Sequence, residues 1–188
     1  MPRVRQQTDA HCGPAVLEML SSFVGLRTDQ HWLTQSSGVK KKELKKIGMN
    51  VEQLGQAVNM LLPTMIFWSK EHATIEDLES LIHRYQVPVG IEWQGEFGEY
   101  SDDDNGHYSI VTDISLSADR IRIADPFIMF AGHDREFALS HFVTRWWDEN
   151  AYTGTDGRRH WKKDHHMIFT IAPPERRYPY VLGMRSGR

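Results

Sequence analysis

The sequence predicts a mixed fold, with helices mainly in the first 85 residues and strands mainly after residue 87. In the first part, apolar residues recur at intervals of three and four, as on the buried face of a helix. Between His107 and Asp125 they alternate instead, which is typical of a β-hairpin. A chain of 188 residues, 40% of them hydrophobic, can build one buried core but is short for two. We therefore expect one domain over residues 1–172 and a C-terminal tail, residues 173–188, that buries little.

Four helices in the first part are predicted from this spacing and from residues that favour helix ends. Their predicted ranges are 15–23, 30–34, 51–62 and 74–85. Asn50 can cap the third helix with its side chain. Thr74 and Asp77 are placed to form a capping box at the start of the fourth. A further short helix is predicted over residues 140–147.

The predicted strands are short and are separated by turns. Single strands are expected over residues 64–68, 87–93 and 167–171, the last as the final strand of the chain. The stretch 95–106, which is acidic and contains glycine, is predicted to be an exposed loop. The hairpin follows this loop directly.

The register of the hairpin can be predicted if its turn is centred on Leu116. Val111 then faces Ile121, and His107 faces Asp125. Directly opposed residues project from the same face, with their Cβ atoms about 5 Å apart. The pattern therefore predicts contact between an imidazole and a carboxylate, on the face of the hairpin that enters the core.

The only cysteine, Cys12, stands where the first helix is predicted to begin, since Pro14 suits a first helical turn. Unpaired N–H groups and the positive end of the helix dipole favour a thiolate at that position. Gln6 could bring a side-chain amide beside the backbone N–H of Cys12, and two donors aimed at one point make an oxyanion hole. With His107 as base and Asp125 as its orienting partner, these residues form a candidate site for nucleophilic catalysis.

The charge and composition of the chain argue against several classes of partner and location. The formal net charge is -3 and the pI is about 6.4, so there is no general attraction for nucleic acid or for an anionic membrane. No apolar run has the length of a signal peptide or of a membrane span. A single cysteine cannot form an internal disulfide, which agrees with a reducing compartment. We expect a soluble, cytoplasmic protein with no nucleic-acid partner and no membrane insertion.

Three segments of the chain resemble the peptidase C39-like family, papain-like cysteine peptidases whose best-known members trim double-glycine leader peptides. The segments are Arg5–Ala15, Gly106–Val111 and the pair Asp125-Pro126. The likeness covers most of residues 5–147. It implies an α+β, papain-like cysteine peptidase fold, with a helical half packed on an antiparallel β-sheet.

The resemblance also implies a role for each candidate residue. Cys12 would be the nucleophile, His107 the base, Asp125 the orienting partner of His107, and Gln6 the oxyanion donor. Such an enzyme needs no cofactor and acts on a peptide or protein substrate. The best-known members are fused to membrane transporters, whereas this chain has neither a membrane domain nor a nucleotide-binding motif. The double-glycine specificity therefore does not follow from the resemblance.

Other functions remain open at this stage. The chain could be an acyltransferase or a deamidase, because the sequence does not distinguish water from an amine as the acyl acceptor. It could also be a peptide-binding module without activity, with Cys12 as a small buried hydrophobe. His160, His165 and His166, with Cys12 or Asp164, could be considered as metal ligands, but their spacing matches no zinc signature. We expect no metal.

Overall fold

An antiparallel sheet forms the centre of the structure, a computed structural model that describes residues 1–98 and 105–187. The strands within these residues are β1 (Ile66–Lys70), β2 (Val89–Gln94), β3 (Gly106–Ser115), β4 (Arg120–Ala124), β5 (Asp134–Ala138), β6 (Trp147–Thr153), β7 (Arg159–His165), β8 (Ile168–Ala172) and β9 (Arg185–Ser186). The order in the main sheet is β5-β4-β3-β2-β8-β1-β9, and β6 pairs with β7 in a separate two-stranded sheet. This antiparallel arrangement confirms the predicted fold class.

Helices cover both faces of the main sheet. They are α1 (Cys12–Phe23), α2 (Gln30–Ser36), α3 (Lys41–Ile47), α4 (Val51–Leu61), α5 (Ile75–Glu79, continued by a wider turn over Ser80–Arg84), α6 (Leu139–Arg145) and α7 (Tyr178–Val181). The first four bury their apolar residues in one core, with Leu17 and Leu54 packed near Phe169 of the sheet. The last three pack on the other face, around Trp68 and Trp93. Within the described ranges, no helix is long and apolar enough to cross a membrane.

The predicted helix starts are confirmed by their hydrogen bonds. Asn50 accepts a bond from the N–H of Gln53 and completes a capping box at α4. Thr74 and Asp77 form the second capping box, at α5. α3 was not predicted, because only Leu44 of this lysine-rich helix is buried.

The register of the β3–β4 hairpin differs from the predicted one. Val111 pairs with Ile123 rather than with Ile121, and a β-bulge between Val111 and Asp113 shifts the pairing by one more residue. A shift of two residues keeps a side chain on the same face, so Val111, Ile121 and Ile123 are all fully buried as expected. Extending the pairing places Asp125 diagonal to His107 instead of directly opposite it.

The C-terminal segment is not a tail that buries little, and this expectation was wrong. Tyr178 and Met184 are 8% and 4% exposed and belong to the second core. β9 pairs with β1 and forms an edge of the main sheet. The ring of Tyr180 also packs edge-on against Trp68. The apolar residues that anchor the segment are too widely spaced to give a periodic signal, so the sequence pattern does not reveal them.

The chain between residues 134 and 165 contains more strands than the sequence indicates. β5 extends the main sheet beyond β4. β6 and β7 form a hairpin whose turn includes Gly154 and Gly157. Most residues of β7 are exposed, so its side chains carry no hydrophobic alternation that could have marked it as a strand.

Candidate active site

Cys12 is the first residue of α1, which confirms the predicted helix start. The helix packs closely at this end, because a Cβ atom on Gly13 would lie 2.9 Å from Leu54 and 3.3 Å from Tyr108. The Cys12 side chain is 7% exposed. Its exposed part lines a cavity of 330 Å³ between the α3–α4 region and the β6–β7 hairpin. Cys12 is therefore buried, with a small exposed part that faces this cavity.

His107 and Asp125 are in direct contact. The Nε2 atom of His107 lies 2.8 Å from Oδ1 of Asp125, and both side chains are almost fully buried. The contact forms although the two residues are diagonal, because Asp125 leaves the end of β4 and turns toward the start of β3. Since Nε2 is occupied by the carboxylate, Nδ1 is the ring nitrogen left for another partner.

Cys12 is the other side chain that acts on the His107 imidazole. Burial alone would lower the pKa of His107, but the charge and hydrogen bond of Asp125, together with the influence of Cys12, raise it to about 10. The imidazole is therefore protonated at neutral pH.

Asp125 has two further partners that sequence reasoning missed. Nη1 of Arg135 lies 2.7 Å from Oδ2, and the backbone N–H of Phe127 donates to Oδ1 at 2.9 Å. Burial acts to raise the pKa of Asp125, but His107, the Phe127 N–H and Arg135 together lower it. Arg135 is itself held by the carbonyl of Glu96 and by the face of Phe130. Nothing in the local sequence marks this arginine, because β5 brings it to the site.

Aromatic rings enclose the His107–Asp125 pair. Phe97 packs edge-on against the imidazole, with ring centroids 5.0 Å apart, and Phe127 lies at 6.4 Å. Phe97 and Phe127 also pack against each other. An apolar enclosure keeps water away from the pair, which strengthens its electrostatic interaction.

Gln6 is buried and lies close to the Asp125 segment. Its backbone N–H donates to the carbonyl of Pro126 at 2.8 Å, and its side-chain Nε2 donates to the carbonyl of Thr8 at 2.9 Å. Gln30 of α2 fixes this N-terminal segment, accepting from the N–H of Gln7 and donating to the carbonyl of Arg5. An amide nitrogen carries two hydrogens, so Gln6 keeps one donor beyond its bond to Thr8.

The sequence matches the profile of the Peptidase_C39 like family over residues 1–154. The chain belongs to this family. None of the curated proteins matches the chain.

Two solved structures show the same fold as this C39-like chain. One is the peptidase domain of Streptococcus ComA, a bi-functional ABC transporter involved in a quorum-sensing pathway: 17% identity, TM-score 0.59, covering 90% of this chain and 96% of that one. The other is a double glycine motif protease from an AMS/PCAT transporter, solved in complex with the leader peptide: 15% identity, TM-score 0.56, covering 92% of this chain and 91% of that one. At these identities the likeness is one of fold.

A second buried cluster lies beneath the cavity of this C39-like chain. Glu92 of β2 is 1% exposed, and its Oε1 accepts bonds from the hydroxyl of Tyr108 and, at 2.9 Å, from Nδ2 of Asn150. Among the described residues its Oε2 has no hydrogen-bond partner. Burial raises the pKa of Glu92 to about 7, although the bonds from Tyr108 and Asn150 act in the opposite direction. The cluster joins the main sheet to the β6–β7 hairpin.

We predict that Glu92→Gln stabilises the protein at high pH. A pKa raised from 4.5 to about 7 means that ionisation costs the folded state free energy, with no cost well below pH 4.5 and the full cost above pH 7. The pKa difference between the folded and unfolded states corresponds to about 3 kcal/mol of unfolding free energy. Urea unfolding should therefore show a clear gain for Glu92→Gln at about pH 8 and little difference near pH 4.5.

The exposed Glu149 supplies the control for this prediction. Glu149→Gln should change the unfolding free energy by less than about 0.5 kcal/mol at both pH values, as most surface substitutions do. An equal effect of Glu92→Gln at both pH values would contradict the assignment of a raised pKa to Glu92.

The remaining sequence candidates lie apart from the Cys12–His107 pair. His160 contacts Asp156 at the tip of the β6–β7 hairpin. Within residues 1–98 and 105–187, no group of three or more His, Cys, Asp or Glu side chains is placed to hold a metal ion. The acidic residues 102–104 of the predicted loop lie outside the described residues.

Proposed function

We propose that this chain is a cysteine peptidase that hydrolyses a peptide or related amide bond. The observation that carries the proposal is the buried His107–Asp125 pair, with Nε2 and Oδ1 2.8 Å apart, together with the influence of Cys12 on the same imidazole. The set contains a nucleophile, a proton carrier and an orienting group. The cavity at Cys12 supplies access for an extended substrate.

In the proposed acylation step, the thiolate of Cys12 attacks the carbonyl carbon of the scissile amide. The new S–C bond gives a tetrahedral oxyanion, stabilised by the backbone N–H of Cys12 and by the free amide hydrogen of Gln6. The C–N bond then breaks, and the protonated His107 gives its Nδ1 proton to the leaving amine. The product is a thioester on Cys12 and a neutral imidazole.

Deacylation reverses the roles of the same residues. Neutral His107 accepts a proton from water, whose oxygen attacks the thioester carbon. The C–S bond breaks, and the carboxylic acid product leaves behind a thiolate beside an imidazolium. Asp125 keeps Nε2 of His107 bonded throughout, so that Nδ1 always faces the sulfur. Each step uses side chains of this chain and water, with no cofactor.

The alternatives differ in the acyl acceptor, in the amide that is attacked, or in whether any turnover occurs. Attack by an amine instead of water would make the protein an acyltransferase, and attack by the thiolate on a side-chain amide would make it a deamidase. Retention of peptide without turnover would make it a binding module. The double glycine motif protease of similar fold was solved with its leader peptide, so peptides that contain two successive glycines are the first substrates to try. A cytoplasmic location stays a prediction.

Product analysis of a peptide library tests the proposed function. Mass spectrometry after incubation with the wild type should show fragments that gain one water, and the Cys12→Ala variant should give none. Ligated peptides would indicate a transferase, and a gain of one mass unit without chain cleavage would indicate a deamidase. Peptides that bind the wild type but stay unchanged would contradict the peptidase proposal.

A further inference from the structure

The cavity at Cys12 continues into a second, larger recess of 760 Å³. The two spaces share part of their lining, including Glu43, Asn50 and Ala151. One wall of both is the α3–α4 region, and the other is the β6–β7 hairpin. Together they form a single groove that leads away from Cys12.

The far end of this groove is positively charged. Its lining contains four cationic side chains, which we call the basic recess: Lys40, Lys42, Lys46 and Arg159. Glu43 and Glu52 are the acidic residues of the same lining, so the cations are in excess by two. Each of the four cations is exposed. Among the described residues, none of them forms an ion pair with a carboxylate.

The end of the groove next to Cys12 has the opposite character. Four acidic residues and two lysines line the cavity there, so the acids are in excess by two: Asp9, Glu43, Asp148, Glu149, Lys45 and Lys46, the last of which also lines the basic recess. A substrate with acidic residues would be repelled at this end and attracted at the far end. The groove therefore has an electrostatic direction along its length.

We propose that the basic recess binds an acidic segment of the peptide substrate, away from the scissile bond. This inference rests on the proposed peptidase function and adds a substrate class to it. Lys40 and Lys42 lie at the start of the lysine-rich helix α3, and Arg159 approaches them from the opposite wall. Carboxylates of a bound peptide would give these cations the partners that the chain itself does not supply.

Peptide binding to the Cys12→Ala variant tests the inference without any need for turnover. The probes are a fluorescein-labelled peptide with a run of glutamates beside a glycine pair, made with the run on either side, and the same peptides with glutamines. Fluorescence anisotropy should show tighter binding of one glutamate peptide than of its glutamine partner. The difference should shrink at high salt, because exposed charges are screened.

Two neighbouring lysines provide a matched pair of variants in the same background. Lys42 lines the basic recess, whereas the exposed Lys41 lines neither part of the groove. Lys42→Glu should weaken binding of the glutamate peptide about fivefold, and Lys41→Glu by less than about twofold. Both variants change the net charge equally, so a general effect of charge would weaken binding to the same degree in both.

Several outcomes would overturn the inference. These are equal binding of glutamate and glutamine peptides, equal effects of Lys41→Glu and Lys42→Glu, or tighter binding of a labelled DNA oligonucleotide than of the glutamate peptide at the same recess. If the wild type cleaves neutral peptides while no glutamate peptide binds, only this inference fails. If a glutamate peptide binds with the expected Lys42 dependence but is never cleaved, only the peptidase proposal fails.

Discussion

The Cys12→Ala variant is expected to hydrolyse a cleavable peptide more than about 10⁴-fold more slowly than the wild type, with its fold unchanged. The reason is that the S–C bond to the substrate can no longer form, and no other cysteine exists in the chain. Single-turnover measurements with a library-derived peptide give the rate constant. Circular dichroism and thermal unfolding check the fold.

Variants of two histidines, His107 and His11, sharpen this prediction. His107→Ala should cost nearly as much as Cys12→Ala, and the double variant should be no slower than either, because nucleophile and base act as a unit. His11 precedes Cys12 directly but contacts Thr8, so His11→Ala should keep activity within about threefold. Equal losses for His11→Ala and His107→Ala would contradict the assignment of the base.

The Asp125→Asn variant is expected to lose about 10²- to 10⁴-fold in kcat and about 3 kcal/mol of stability. The carboxylate serves His107 at Oδ1 and Arg135 at Oδ2. The amide NH₂ of Asn would face one of these donors, and the buried His107 and the partly buried Arg135 would lose their anion. Steady-state kinetics and urea unfolding measure the two effects separately.

A pH series adds a readout that general destabilisation would not give. The pKa of His107 is raised from 6.5 to about 10 in the folded protein, so its stabilising contribution is complete below pH 6.5 and is lost as the pH rises toward 10. Asp125→Asn should flatten this decline in the unfolding free energy. The control is Asp134→Asn, because Asp134 contacts Arg3 and Thr112 on the same sheet. That variant should keep both the decline and kcat.

Local signals were sufficient to predict the part of the site that lies on single elements. The helix that begins at Cys12 follows from the spacing of its apolar residues. The two strands that carry His107 and Asp125 follow from the alternation of apolar residues. The predicted register is wrong by two residues, a shift that leaves each side chain on the predicted face of the sheet. A β-bulge leaves no mark in an alternating pattern, so the pairing beyond Val111 could not be predicted.

The contacts that hold the site from outside these elements could not be predicted. Arg135 reaches Asp125 because β5 pairs with β4, and the residues of β5 show no apolar alternation that would have marked them as a strand. Gln30 fixes the segment around Gln6 in the same way, from a helix that begins 24 residues further along the chain. Met184 joins the second core through a short edge strand. Each of these depends on tertiary packing.

The rate of Cys12 alkylation by iodoacetamide at pH 6 tests the central claim most directly. A free thiol with a pKa of about 8.5 is almost entirely protonated at that pH and reacts slowly. If the His107 imidazolium keeps Cys12 as a thiolate, the wild type should react faster than a free thiol. The His107→Ala variant should react no faster than a free thiol, whereas His11→Ala should react as fast as the wild type. A wild-type rate no faster than that of a free thiol, in a folded protein whose cavity admits the reagent, would contradict the account.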